Sequence, residues 1–194
     1  ALFAFPFMGN SQMFDSIRVS LTHKPTFYGN LTTRNSFISN SRAQVRGFAL
    51  GVNFNKQFTL ALGYNWLISD FEEITETLDT NRLKLRYVSP FVEYSFLEKN
   101  NIQVSIPIYL GFGQASLENS LGKKANSSFV MLYEPSMKVT YRFFKYFNVS
   151  AGLGIRMILA GNNTLNQNFI SPTYTIGAGI FIADIYKDVQ KAFD

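Results

Sequence analysis

Large apolar residues stand at every second position along most of the chain from Phe48 to Ile182. Between residues 58 and 69, the row Phe, Leu, Leu, Tyr, Trp, Ile alternates with the row Thr, Ala, Gly, Asn, Leu, Ser. A period of two over this length is typical of a β-strand with two chemically different faces. The second face is small and poor in charge, which indicates the inside of a narrow barrel rather than a surface in water.

The large apolar face must then be covered by something other than water. A lipid bilayer accepts only helices and closed barrels, because only these pair all their backbone groups internally. No run in the sequence reaches the about 18 apolar residues that a membrane-spanning helix needs. The pattern therefore predicts a transmembrane β-barrel, and the alternative is a soluble lipocalin-like barrel with an apolar lumen.

Composition narrows the function classes. The 194 residues indicate one domain, and the 16% of charged residues is below the roughly 25% usual in soluble domains. The absence of cysteine excludes disulfides, thiol chemistry and cysteine-based metal sites. The net charge of +5 is scattered rather than interleaved with aromatics on one face, so nucleic acid is not an expected partner. We expect neither a metal nor another cofactor.

The alternation predicts eight strands, each long enough for the about 9–11 tilted residues that cross a bilayer. Short connections alternate with long ones, which is the asymmetry of an antiparallel up-and-down barrel. The barrel is expected over residues 14–182, after an apolar N-terminal segment at 1–13 and before a tail at 183–194. The predicted strands are 14–22, 42–55, 58–70, 82–96, 102–115, 128–143, 147–159 and 169–182, and the predicted long connections are 23–41, 71–81, 116–127 and 160–168.

Four prolines fall within predicted strands, where each lacks a backbone donor for the ladder. A closed barrel has no edge at which to place them, so we expect bulges or strand ends at some of these positions. They are Pro90, Pro107, Pro135 and Pro172.

Aromatic residues gather at two levels of the predicted barrel. Amphipathic rings favour the headgroup level of a bilayer, so these residues are expected to form girdles. The predicted girdle consists of Tyr94, Phe96, Tyr141, Phe143 and Phe147 near the short connections and of Tyr64 and Trp66 nearer the long ones.

The stretches Gly-Phe-Ala-Leu-Gly-Val-Asn-Phe at 47–54 and Val-Ser-Ala-Gly-Leu-Gly-Ile at 149–155 are representative of the whole pattern. The chain resembles, over about residues 14–182, the small eight-stranded outer-membrane barrels of Gram-negative bacteria, such as the OmpA transmembrane domain and OmpX. The resemblance implies an all-β closed barrel in the outer membrane, with both termini in the periplasm and with the lipid bilayer and lipopolysaccharide as partners. One departure is the continuation of the chain past Ile182, where such barrels often end on an aromatic strand residue.

Charged residues on the inward face are the candidate site. If the connection at 144–146 closes its hairpin symmetrically, Glu134 lies opposite Arg156. The predicted lumen cluster is Glu134, Arg156, Lys138, Arg142, Glu93 and Arg18. Two interpretations are open. The cluster is either a polar relay or gated path, or an ionic plug. The plug is favoured, because a narrow lumen cannot hydrate its charges and they must pair with one another.

Other polar groups give weaker signals. His23, Ser69 and Asp70 lie near one rim and are similar in type to the residues of outer-membrane enzymes that modify lipid A, but Ser69 is on the opposite face from the other two. The carboxylates between residues 70 and 79 match no regular calcium loop, so a solvated acidic loop is favoured over a cation site. Rim arginines are candidates for contact with lipid phosphates. These are Arg34, Arg42, Arg46, Arg82 and Arg86.

The tail repeats an apolar residue every four positions, at Ile185, Val189 and Phe193, which predicts a short amphipathic periplasmic helix. Such a helix is too short to be stable alone, so we expect contact with the barrel or with another protein. The sequence thus predicts a non-catalytic outer-membrane barrel that serves as a structural or accessory subunit of a larger complex, with another outer-membrane protein as its partner. A lipid A acyltransferase or deacylase is the alternative, and a small channel is a third hypothesis.

Overall fold

The computed structural model describes residues 8–38, 41–68, 72–74, 80–118, 124–143, 145–160 and 170–181. Within these residues one helix, α1 (Met8–Leu21), precedes a set of antiparallel strands. The strands are β1 (Thr26–Ile38), β2 (Ser41–Phe54), β3 (Phe58–Leu67), β4 (Glu72–Ile74), β5 (Thr80–Lys99), β6 (Ile102–Glu118), β7 (Lys124–Arg142), β8 (Phe147–Ala160) and β9 (Ile170–Ile180).

The strands close into a barrel. The sheet order is β3-β2-β1-β9-β8-β7-β6-β5, and β3 also pairs with β5, which joins the two edges of the sheet. The three-residue strand β4 pairs only with the first residues of β5 and adds no ninth wall strand. The predicted closed, antiparallel, eight-stranded barrel is therefore confirmed, whereas the predicted helix at 183–194 lies outside the described residues.

The first predicted strand is wrong. Residues 14–22 belong to α1 and its end, and the predicted long connection at 23–41 contains β1. Two patterns coexist in residues 14–22, since Phe14, Ile17 and Leu21 also fit one face of a helix. The sequence pattern of β1 is weak, because its outward positions include the polar residues Thr33 and Asn35. The segment is a strand because β2 and β9 pair with its backbone on both sides.

The prolines do not coincide with register shifts. At Pro90, Pro107 and Pro135 the cross-strand pairing is interrupted on one side and resumes in the same register. The ladder between β1 and β9 stops at Thr173, next to Pro172. The shifts occur elsewhere, between Ser95 and Leu97 among other places. The expected bulges at the prolines are therefore not found. Each proline lacks a backbone N–H, and the strands accommodate this by leaving out local pairs without a change of register.

Tight connections gather at one end of the barrel, while at the other end, of the wall strands, only β1 and β2 have so short a connection, residues 39–40. At one end, named here the turn end, tight connections follow β2 (residues 55–57), β5 (100–101) and β7 (143–146). Asn55, Lys56 and Asn100 adopt positive φ angles of 49°, 57° and 55°, as tight hairpin turns require. Helix α1 is attached at this end, where Ser20 Oγ donates a hydrogen bond to Gln57 Oε1 at 2.7 Å. The opposite end is named the loop end.

The outer surface of the barrel is apolar. The alternation predicts that six large apolar residues belong to an outer belt, and all six face outward and are exposed. No helix among the described residues is long and apolar enough to cross a membrane. An apolar belt around a closed barrel whose inward face holds the buried polar residues is the arrangement of a transmembrane barrel, and the soluble lipocalin-like alternative reverses it. The belt residues are Leu60, Leu62, Leu110, Val139, Leu153 and Ile176.

Candidate functional site

The barrel lumen concentrates buried charge. Among the described residues, five charged side chains from β1, β5, β7 and β8 point inward and are almost fully buried. Eight strands leave an interior about wide enough for side chains to fill, so these charges have little water around them and need protein partners. The five residues are Arg34, Glu93, Glu134, Lys138 and Arg156.

The first group of charges is centred on Glu134. Arg156 Nε donates to Glu134 Oε1, and Arg34 Nη1 lies 3.2 Å from Glu134 Oε2. The hydroxyl of Tyr87 accepts hydrogen bonds from both guanidinium groups, each at 3.4 Å. One carboxylate is thus held between two arginines from different strands, which we name the Glu134 triad: Arg34, Glu134 and Arg156.

The pairing of Glu134 with Arg156 is the one that the symmetric hairpin predicts. The neighbouring pairs Tyr133 with Met157 and Ser136 with Gly154 fix this register between β7 and β8. Arg34, by contrast, was expected at the outer rim in contact with lipid phosphates. That expectation is wrong, because Arg34 lies on β1 and its position places the side chain inside the barrel.

The second group of charges lies nearer the turn end. Lys138 Nζ is 2.5 Å from Glu93 Oε2, and Ser105 Oγ donates to Glu93 Oε1 at 2.7 Å. Lys138 and Glu93 come from β7 and β5, so their contact crosses β6, which contributes Ser105. Both were predicted as inward charges, and the structure joins them in a buried ion pair.

The five buried charges carry a net charge of +1, from three cations and two carboxylates. Arg34, which shares Glu134 with Arg156, has a further partner. Its guanidinium lies 4.2 Å from the centre of the Tyr109 ring. A cation over an aromatic face is stabilised by the negative charge of the ring face, most strongly where water is excluded. Each of the five charges therefore has a charged or aromatic partner.

Apolar side chains fill the lumen around the ionic groups. One cluster is made of Val45, Leu85, Tyr87, Ala115, Val130 and Leu132, and another of Tyr28, Ala49, Phe91 and Tyr109. The ring of Tyr87 needs a glycine across from it, because a Cβ at Gly111 would stand 2.9 Å from its Cδ2 atom. The described part of the lumen is therefore a packed core that contains ion pairs.

A polar cavity of about 180 Å³ opens at the turn end of the lumen. Its walls include Asn53, Gln103, Thr140 and Asn148, and Arg142, whose guanidinium lies 4.0 Å from the centre of the Phe181 ring. Thr140 is the next inward position after Lys138, so the Lys138–Glu93 pair lies beyond the cavity towards the middle of the barrel.

Two other predicted positions lie away from this site. Arg142 is an inward residue, as predicted, but it stands at the mouth and outside both ion-paired groups. Arg18 is not a lumen residue: it lies on α1 and is exposed. This error follows directly from the wrong assignment of residues 14–22 as a strand.

The structure assembles no catalytic group from the residues it describes. His23 follows α1 at the turn end, exposed, with Nδ1 3.1 Å from the carbonyl oxygen of Val19. Strand β3 ends at Leu67 at the loop end, and Ser69 and Asp70 lie outside the described residues. No group of three or more His, Asp or Glu that could hold a metal occurs among the described side chains.

The aromatic residues predicted as girdles lie on the outward face at two levels. At the turn end the rings of Phe143 and Phe147 stack with centres 6.4 Å apart. At the loop end Tyr64 and Trp66 are 6.0 Å apart, and both lie near Phe48. Between the two levels the outward face carries exposed aliphatic residues such as Leu62, Val92 and Leu110. The other predicted girdle residues, Tyr94, Phe96 and Tyr141, face outward at the turn end.

A closed eight-stranded barrel with an apolar belt and an ion-paired interior defines a small transmembrane barrel of the outer-membrane type. Among solved structures, the chain is similar to the Neisserial surface protein NspA, with a TM-score of 0.60, 13% identity and coverage of 81% of this chain and 96% of that one. It is also similar to the N-terminal barrel of Pseudomonas aeruginosa OprF (TM-score 0.54, 13% identity, 81% and 98% coverage) and to Ail of Yersinia pestis (0.50, 13%, 80% and 96%). At these identities the likeness shows the fold alone.

No protein-family model matches the chain, and no curated protein matches it by sequence.

Proposed function

We propose that this chain is a non-catalytic barrel of the bacterial outer membrane that serves as a structural or accessory subunit of a larger outer-membrane complex, with both termini on the periplasmic side. The observation that carries the proposal is the ion-paired, side-chain-filled lumen. A filled lumen has no path for solutes, and the described residues bring together no nucleophile, base and orienting group. The similarity in fold to NspA, the OprF barrel and Ail supports the outer membrane as the location.

Helix α1 supports a role in association. Its side chains Phe14, Val19 and Leu21 are exposed at the turn end, while Ser20 is buried against Gln57 of the β2–β3 turn. Large apolar side chains that stay exposed beside the barrel, rather than in its belt, are typical of contact surfaces. The predicted partner contacts Ile185, Val189 and Phe193 lie outside the described residues and remain a prediction for the same end of the barrel.

The filled lumen makes a prediction for conductance. We expect no reproducible single-channel steps from the refolded full chain in planar bilayers, because the Glu134 triad and the Lys138–Glu93 pair block the axis. The matched comparison is a variant with Arg34, Glu134 and Arg156 all replaced by Ser, which removes side-chain volume and charge together. Regular steps from the native chain would favour the channel hypothesis over the plug.

Association is tested by co-purification. The full chain, extracted from native membranes in mild detergent, is expected to elute with a second outer-membrane protein that mass spectrometry identifies. Replacing Phe14, Val19 and Leu21 by Ser, or deleting residues 185–194, should reduce the recovery of that protein, because each change removes apolar contact area. The matched control replaces Asp15 and Arg18 by Ser on the same helix. A monodisperse monomer from native membranes contradicts the accessory role.

A further inference from the structure

The outward side chains that the structure describes carry little charge. Among the outward positions whose side chains the structure describes, the charged residues are Lys99, at the end of β5 beside the turn, and three cations at the loop end. Those three are Arg46 on β2 and Lys84 and Arg86 on β5, all exposed. Apart from Lys99, the charge on the described lipid-facing wall is thus gathered at the loop end, and all of it is positive.

The strand register places two of these cations on either side of the single tryptophan. Arg46 pairs with Trp66 across β2 and β3, and Trp66 pairs with Arg86 across β3 and β5. Adjacent strands are about 4.8 Å apart, so the two arginine backbones are separated by about 10 Å with the indole between them. Two arginine side chains can converge on one group across that distance. We name Arg46, Trp66 and Arg86 the cationic row.

The outward positions that pair with the cationic row on the following strands are uncharged. On β6 and β7 the row continues as Gln114 and Phe129. If arginines served only to hold the barrel in the headgroup layer, neighbouring strands would be expected to carry them as well. Among the described side chains of this wall, the positive charge at the loop end is therefore confined to β2 and β5, where it would attract a negatively charged group.

The level of the cationic row identifies the kind of partner. Trp66 is the last residue but one of β3 at the loop end, and its ring lies close to those of Phe48 and Tyr64, so the row is at the height of the aromatic girdle. Girdle residues lie at the level of lipid headgroups. The anionic groups of that layer are phosphates, which guanidinium groups bind through paired, charge-assisted hydrogen bonds.

We propose that the cationic row binds a phosphate group of an anionic glycolipid of the outer leaflet, the lipid A part of lipopolysaccharide. Arg46 and Arg86 donate to the phosphate oxygens, and the indole of Trp66 provides the apolar floor on which the first sugar and the acyl chains rest. Lys84, two positions along β5 on the same face, adds positive charge nearby. This inference rests on the proposed function, since it needs the loop end to face the outer leaflet.

The row contains its own reporter, because Trp66 is the only tryptophan of the chain. The experiment titrates diphosphorylated lipid A into the refolded full chain in neutral detergent and follows the fluorescence of Trp66. We expect a saturable change in intensity or wavelength. Dephosphorylated lipid A, phosphatidylethanolamine and inorganic phosphate are the comparison probes, and none of them should saturate the site in the same concentration range.

The variants remove the cations in matched pairs. Replacing Arg46 and Arg86 by Gln should weaken the apparent affinity for lipid A by about tenfold or more, because both charge-assisted donors are lost. Replacing both by Lys keeps the charge but removes the planar fork, and should give an intermediate loss. The control replaces Lys24 and Lys99 by Gln, which lowers the net charge equally at the turn end and should leave the titration unchanged.

The outcomes separate this inference from the proposed function. An equal response of the native chain to dephosphorylated lipid A, or an unchanged affinity in the Gln pair, overturns the lipid site. If the Gln pair does not refold, an unchanged affinity in the Lys pair overturns it instead. Recovery of the chain in the outer-membrane fraction and its lack of conductance do not depend on the row, so they can hold when the lipid site fails.

Discussion

Replacing Glu134 by Gln is expected to lower the free energy of unfolding by about 3–5 kcal/mol, the cost of removing one member of a buried ion pair. The change keeps the shape of the side chain and removes its charge. Arg34 and Arg156 would then lie in the lumen with like charges close together and no carboxylate between them. Because both guanidinium groups are almost fully buried, water cannot take the place of Glu134.

The measurement is equilibrium unfolding in urea of the refolded chain in detergent, together with the heat-dependent mobility shift of the closed barrel. Glu98→Gln is the matched control. The pair of Glu98 with Lys56 has the same 3.2 Å separation as that of Glu134 with Arg34, but its side chains are 41% and 57% exposed rather than 5% each. We expect the control to cost less than about 1 kcal/mol, as exposed pairs do. Equal effects would show that the lumen is hydrated.

A triple replacement tests the cause of the effect. Arg34→Met, Glu134→Leu and Arg156→Met together remove the charges and keep most of the volume. We expect the triple variant to be more stable than Glu134→Gln alone, because no charge is left without a partner. A double replacement of Glu134 and Arg156 is not the right comparison, since it would leave Arg34 unpaired. If the triple variant is the less stable one, packing rather than charge dominates this part of the lumen.

Much of the fold could be predicted because successive residues of a barrel strand face alternately outward and inward. Alternation assigned seven of the eight wall strands to within a few residues, and it also separated the outward belt from the inward polar positions. The contact between Glu134 and Arg156 followed from the same rule, since a hairpin with a short symmetric turn fixes which residues face each other. Pairs between strands adjacent in sequence are therefore accessible to this kind of reasoning.

The contacts that sequence reasoning missed join strands that are distant in the chain. Arg34 belongs to a strand whose outward positions carry Thr33 and Asn35, so its pattern does not stand out, and its place is set by pairing with β2 and β9. Lys138 and Glu93 could be recognised as inward residues, but their contact depends on the registers of two successive hairpins. Small errors in each register add up, which is why the inward faces could be predicted and the partners across the lumen could not.

Leu153 and Ile170 are two outward residues that lie at different depths in the bilayer. Leu153 lies in the middle of β8, pairs with Tyr174 of β9 and is 73% exposed. Ile170 is the first residue of β9, pairs with Met157 and is 69% exposed. From Tyr174 to Ile170 the strand advances by about 13 Å towards the loop end, at 3.3 Å per residue. The two side chains are thus alike in size and exposure and differ in their distance from the midplane.

Replacing Leu153 by Arg is expected to cost about 2–4 kcal/mol of unfolding free energy in phospholipid vesicles, while Ile170→Arg should cost about 0–1 kcal/mol. Near the midplane the guanidinium must leave water or thin the bilayer around it, whereas at the rim it can reach the headgroups. Urea unfolding of both variants in vesicles, followed by Trp66 fluorescence, gives the comparison. In detergent micelles, which adapt more readily around a charge, the difference should shrink. Equal costs for the two variants in vesicles would mean that the belt is not embedded symmetrically about Leu153, and the midplane would have to be placed nearer one end of the barrel.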